Sequence, residues 1–132
     1  MTTDLLFVYG TLKRGLRNHR LLASAQFVGE ARTEERRFRL LDCGPYPALI
    51  EIPADATGTE PLQIRGEVYR ITPAHLPALD ELEDEGTLYR RTTITVALDA
   101  ESASPLFAYT YVWLGRSDRF PPVAGDVWPI SS

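Results

Sequence analysis

Seven short strand-like runs and a single stretch with helix grammar, all within 132 residues, leave this chain few ways to bury itself. The runs cover residues 5–9, 26–32, 36–41, 48–52, 64–71, 88–98 and 106–113. Leu5-Leu6-Phe7-Val8-Tyr9 is apolar without interruption, the pattern of a strand covered on both faces. Phe38 and Leu40 alternate with Arg37 and Arg39, as in a strand with one wet face. The last two runs are rich in Thr, Val, Tyr and Ile. So many short strands expose many edges, and an antiparallel sheet curled toward closure hides them using short connections. The expected fold is therefore α+β: a small antiparallel β-barrel of about six to seven strands with one to three flanking helices.

The connections sharpen this reading. Residues 12–23 mix basic side chains with Leu16, Leu21 and Leu22 and fit a loop plus a short helix. Cys43-Gly44-Pro45-Tyr46-Pro47 is a turn by composition. The polar connection 53–61 predicts that the runs 48–52 and 64–71 pair across it. Thr72-Pro73 has the grammar of an N-cap followed by a first helical residue. Pro77 cannot donate back to Pro73, so the first turn breaks and a better helix starts near Leu76. Beyond Gly115, a tail containing Pro121, Pro122 and Pro129 is irregular. No repeat or linker interrupts the chain, and 1–132 reads as one domain.

Composition excludes some classes of function. Fourteen basic against 18 acidic residues give a net charge of −4, which disfavours nucleic acid as the main partner. A lone cysteine, Cys43, excludes an intrachain disulfide and fits a reducing cytoplasm. No apolar stretch reaches membrane-span length, and the N-terminus lacks a basic flank plus apolar signal core. The expectation is a cytoplasmic protein, monomer or weak homodimer, with neither membrane nor nucleic acid as partner.

One acid stands out among five. With successive helical residues about 100° apart, Leu76, Leu79 and Leu82 fall within roughly 60° of Leu79 and define a buried stripe. Glu83 falls about 40° from Leu79, inside that stripe, whereas Glu81, Asp84 and Glu85 point the other way and Asp80 sits near the edge. A carboxylate among leucines loses hydration, and its raised pKa makes it a stronger base. The alternative is that the helix stops at Leu82 and Glu83 turns into water, since unpaired acids are rarely buried.

The chain breaks at Tyr9-Gly10-Thr11-Leu12. Such a strand end either makes an ordinary turn or leaves backbone N–H groups converging on an anion, with Gly10 allowing close approach. The spacing of a phosphate loop is absent. Cys43 with His19 or His75 offers a thiol nucleophile only if the fold joins them, and one cysteine with two scattered histidines makes no zinc pattern. Lys13, Arg14, Arg17, His19 and Arg20 form a solvated loop, a mouth for anionic substrates or a weak nucleic-acid patch. Phe107, Tyr109, Tyr111 and Trp113, at strand spacing, read as core or barrel wall.

Taken in order, Tyr9-Gly10-Thr11-Leu12-Lys13-Arg14-Gly15, Asn18-His19, Tyr46-Pro47-Ala48, Gly66-Glu67-Val68-Tyr69, Leu79-Asp80-x-x-Glu83 and Leu88-Tyr89-Arg90-Arg91 closely resemble the gamma-glutamylcyclotransferase-like (AIG2-like) family. The resemblance spans residues 5–113 and is nearest to the gamma-glutamylamine cyclotransferase branch. It implies a small barrel with flanking helices. It also implies that Tyr9, Gly10, Thr11 and Leu12 bind a γ-glutamyl head, that Glu83 is the acid/base, and that Tyr89 lines the pocket. The implied reaction closes a γ-glutamyl amine or peptide to 5-oxoproline and a free amine, with no metal or organic cofactor. Two other outcomes fit the same resemblance: a binding module of this fold without turnover, and a biosynthetic enzyme that removes a γ-glutamyl protecting group.

Overall fold

A computed structural model describes residues 4–53, 60–99, 105–116 and 120–128. Its elements run β1 (Asp4–Val8), β2 (Gln26–Thr33), β3 (Phe38–Asp42), β4 (Pro47–Glu51), β5 (Arg65–Ile71), α1 (Leu76–Glu83), β6 (Tyr89–Leu98) and β7 (Leu106–Trp113). Short 3-10 turns at His19–Leu22 and Pro73–His75 complete the set. All seven expected strands form, and five of them close a barrel in the order β1-β5-β2-β6-β7. The seam joins β7 to β1 in parallel through Leu6 and Tyr109, and every other pairing is antiparallel.

The remaining two strands, β3 and β4, form a separate hairpin that lies against β7. This corrects the pairing expected across 53–61: β4 pairs with β3, and β5 pairs with β1 and β2. The short turn wins because it closes far less chain than the long connection. Gly44 takes φ 91° there, and the Cys43 amide donates to the Tyr46 carbonyl at 3.0 Å. Much of the 53–61 connection lies outside the described residues.

Burial explains the uninterrupted apolar run of β1. Leu6 and Val8 enter one hydrophobic cluster together with Tyr69, Leu79, Tyr89 and Tyr111, while Phe7 and Tyr9 enter a second with Phe38, Ile64 and Val68. A strand that faces two cores has no position for a polar residue. The irregular tail is latched across β3: Asp42 N donates to Pro121 O at 2.8 Å and Val123 N to Leu40 O at 2.8 Å, with Val123 buried.

The helix starts at Leu76 behind a proline-led 3-10 turn, as Pro77 requires. Its expected stripe is only partly realised: Leu79 is fully buried, but Leu82 is 38% exposed. Angles on a helical wheel cannot show how far along the helix the core extends. The aromatic series on β7 is likewise mixed, with Tyr111 buried and Phe107 73% exposed at the start of the strand. Among the described residues, no helix is long and apolar enough to cross a membrane.

Candidate active site

A cavity of about 160 Å³ opens where β1 ends, between the 9–18 loop, the β3–β4 turn and the last turn of α1. Tyr9, Gly10, Thr11, Leu12, Glu83 and Tyr89, all singled out from the sequence, line this one space. They arrive from three separate elements, which no local pattern links.

The loop wall is held through its own backbone. Lys13 N donates to Gly10 O at 3.0 Å, Asn18 N to Thr11 O at 3.0 Å and Asn18 Nδ2 to Thr11 Oγ1 at 2.8 Å, while Leu12 O accepts from His19 Nδ1 at 2.9 Å. Thus Gly10, Thr11 and Leu12 hold the turn with their carbonyls. A Cβ on Gly10 would stand 2.9 Å from Pro47 Cδ and Cγ, so glycine lets the β4 end pack directly on the loop. Beneath the turn lies Glu67, 8% exposed, whose Oε1 accepts the Arg14 amide at 2.9 Å and the Tyr69 hydroxyl at 2.9 Å. A buried carboxylate needs such donors, and here they fasten the loop to β5.

The helix wall presents Glu83. The helix continues through Glu83, and only then does Asp84, in the left-handed region at φ 51°, reverse the chain. The alternative in which the helix stops at Leu82 is therefore not realised. Loss of water on burial raises the Glu83 pKa to about 7. One turn earlier, Asp80 anchors the helix: its Oδ1 accepts the Tyr111 hydroxyl at 2.7 Å, and its Oδ2 accepts Arg91 Nη1. Asp80 is thus tied to β6 and β7 rather than simply hydrated at the stripe's edge.

The tyrosines are walls with committed hydroxyls. Tyr9 donates to the Tyr111 carbonyl, and Tyr89 donates to the Pro47 carbonyl at 2.8 Å. Burial first, then the other tyrosine and Glu83 for Tyr9, and Glu83 for Tyr89, push both phenols above their usual range. Neither serves as a base near neutral pH. Glu83 is the one carboxylic acid among the described residues that line the cavity.

The rival groups have other duties. Burial, and then Asp42, raises the Cys43 thiol above its usual range, so it is not a ready thiolate. The Leu12 carbonyl fixes a hydrogen on His19 Nδ1, and the ring packs on Tyr69. Ser24 and His75 lie 2.9 Å apart, but His75 Nδ1 accepts the Thr72 amide at 3.0 Å. Its Nε2 therefore carries the hydrogen toward Ser24 and cannot deprotonate it. No group of three or more metal-ligating side chains is assembled among the described residues.

Several lining residues were read from the sequence in other roles: Arg17 in the basic cluster, Tyr111 in the barrel-wall series, Leu82 in the buried stripe and Leu88 in the motif series. Asn18 and Tyr46 also line the cavity, and they appeared above only as parts of the motif series. A period of two along β7 could not single out Tyr111, and Arg17 was one cation among several.

Comparison with known proteins agrees with this geometry. The sequence model of the family described as "Gamma-glutamyl cyclotransferase, AIG2-like" matches residues 6–129. The gamma-glutamylaminecyclotransferase of Homo sapiens is 40% identical over 101 residues, covering 71% of this chain and 62% of the human protein. That of Bos taurus is 36% identical over 124 residues, covering 89% of this chain and 67% of the bovine protein. The crystal structure of a mouse AIG2-like protein superposes with a TM-score of 0.77 at 28% identity, covering 91% of this chain and 83% of the other. A profile match across nearly the whole chain, relatives at this identity and a shared barrel establish that the chain belongs to the gamma-glutamyl cyclotransferase, AIG2-like family.

Proposed function

We propose that this protein closes a γ-glutamyl amine or γ-glutamyl peptide to 5-oxoproline, releasing the amine, with Glu83 as acid and base. The observation that supports this most is Glu83 itself: a carboxylate with a pKa near 7, facing the same small cavity as the Tyr9–Leu12 loop. A base poised near the working pH has both the right charge and useful strength. In this reading the amides of Gly10, Thr11 and Leu12, on the loop side of the cavity, are the donors for the substrate α-carboxylate or for an oxyanion.

In this reading the Glu83 carboxylate takes one proton from the substrate α-ammonium. The freed amine attacks the γ-carbonyl carbon, a C–N bond forms, and charge moves onto the carbonyl oxygen. Protonated Glu83 then delivers its proton to the departing nitrogen as the old C–N bond breaks. The lactam nitrogen loses its extra proton to Glu83, and that proton leaves with the amine as ammonium. The nucleophile belongs to the substrate, so the protein has mainly to fold the chain and place the base. With its one cysteine free, the cytoplasm is the proposed setting.

The test is release of 5-oxoproline from a panel of γ-glutamyl amines and dipeptides, followed by mass spectrometry. Release from at least one compound, with a drop of roughly a hundred-fold or more for Glu83→Gln, is expected. A folded protein that binds these compounds but releases nothing would make it a binding module instead.

A further inference from the structure

The polar groups around the cavity can be counted off one by one. The hydroxyls of Tyr9, Tyr89 and Tyr111 donate to Tyr111 O, Pro47 O and Asp80 Oδ1. Asn18 donates to Thr11 Oγ1 and accepts from Arg20 Nη1 at 3.4 Å. In the reading above, the loop amides and Glu83 are taken by the γ-glutamyl head. Of the lining side chains then left with a free donor for the departing half of the substrate, only Arg17 carries a charge.

None of the neighbouring basic side chains lines the cavity, and most are tied to other groups. Arg14 lies over the Phe27 ring at 4.1 Å and pairs with Glu67 at 3.6 Å, while Lys13 lies within the fields of Glu67 and Glu30. His19 is bound to Leu12 O, and Arg20 Nη1 donates to Arg17 O at 3.0 Å. Among the described residues the Arg17 side chain makes no hydrogen bond or ion pair, and of that cluster only Arg17 lines the cavity. A guanidinium donates and never accepts, so it complements a carboxylate and repels an ammonium.

We propose that Arg17 makes the site select γ-glutamyl substrates whose departing amine bears an anion, such as the free carboxylate of an amino acid. This inference rests on the cyclotransferase reading and narrows it. It also gives the basic cluster a division of labour, in which most of its members build the loop and one meets the substrate.

Three compounds matched in size test it: γ-glutamylglycine (anionic), γ-glutamyl isobutylamide (neutral) and γ-glutamyl-2-aminoethylamide (cationic). For the unaltered protein at low salt, kcat/KM should fall in that order by about five-fold per step, the upper end for an exposed ion pair. Added salt should compress the series. Arg17→Gln should flatten it, and Arg17→Glu should invert it. An order that ignores charge, or a charge order that survives in Arg17→Gln, would overturn the proposal. So would an equal loss on all three compounds, which would place Arg17 on the shared γ-glutamyl head. If none is turned over, the cyclotransferase reading fails separately, and calorimetric binding of the same three compounds decides. The charge order in the unaltered protein and its loss in Arg17→Gln would uphold the role of Arg17, and equal binding would overturn it.

Discussion

The two walls of the cavity are built in opposite ways. The loop wall hangs from β1 and β5, strands whose side chains fill both cores, and a buried carboxylate, Glu67, pins it from below. The helix wall is the last turn of an eight-residue helix, held at Asp80 and closed by a non-glycine residue in the left-handed region. In the proposed function the loop wall binds, and amides that are already fixed lose little freedom when a ligand arrives. The other places a half-buried acid where its hydration and its aim are both sensitive. The acid with the raised pKa stands on the less supported wall.

Breaking the loop wall at its root should have the largest effect. A Cβ on Gly66 would stand 2.3 Å from the Val8 carbonyl. Gly66→Ala should therefore force β1 and β5 apart and destabilise the fold by about 3 kcal/mol or more, read by thermal or denaturant unfolding. Wild-type-like stability would show that the strands yield more easily than this contact implies.

Cutting the anchor of the helix wall comes next. Asp80→Ala strands the Tyr111 hydroxyl and the Arg91 guanidinium, at about 1–3 kcal/mol. With Glu83 as the proposed acid and base and Asp80 holding its helix, kcat should fall more than KM rises, with Asp80→Asn milder. The loop wall should give the opposite signature. Glu67→Ala frees the Arg14 amide and the Tyr69 hydroxyl, so KM should rise more than kcat falls. Glu67→Gln keeps an acceptor at Oε1 and should rescue most of the loss. If both series moved kcat and KM alike, the two walls would not be separable.

The smallest effect is at the helix end. An L-residue in the left-handed region is disfavoured by roughly 1–2 kcal/mol, part of which Gly offsets by its greater unfolded-state freedom. Asp84→Gly should therefore stabilise the protein by about 0.5 kcal/mol in calorimetry, and Asp84→Val should destabilise it.

What could be read in advance follows from where the controlling physics lies. The position of Glu83 was legible because helix angles are local, and β1 was legible because burial on both faces leaves an unbroken apolar run. The partner of β4 was not, since loop closure and barrel closure decide it jointly. Nor was the exposure of Leu82, which depends on tertiary packing that a helical wheel does not contain. Tyr111 and Arg17 needed the fold to show which member of a periodic or charged series meets the cavity.

Titration of Glu83 decides whether it is the acid and base. Its pKa is raised from 4.5 to about 7, so the folded state favours the protonated acid. That contribution to stability is complete below about pH 4.5 and is lost as the pH rises through 7. Glu83→Gln should therefore unfold at higher denaturant than wild type above pH 7 and lose that advantage in acid. The decisive measurement is kcat for 5-oxoproline release against pH, for wild type and Glu83→Gln. With Glu83 as the base, the wild-type rate should climb through an apparent pKa near 7 as the carboxylate forms, and the variant should be at least about a hundred-fold slower with that limb gone. A Glu83→Gln protein with the wild-type rate and pH limb would contradict it.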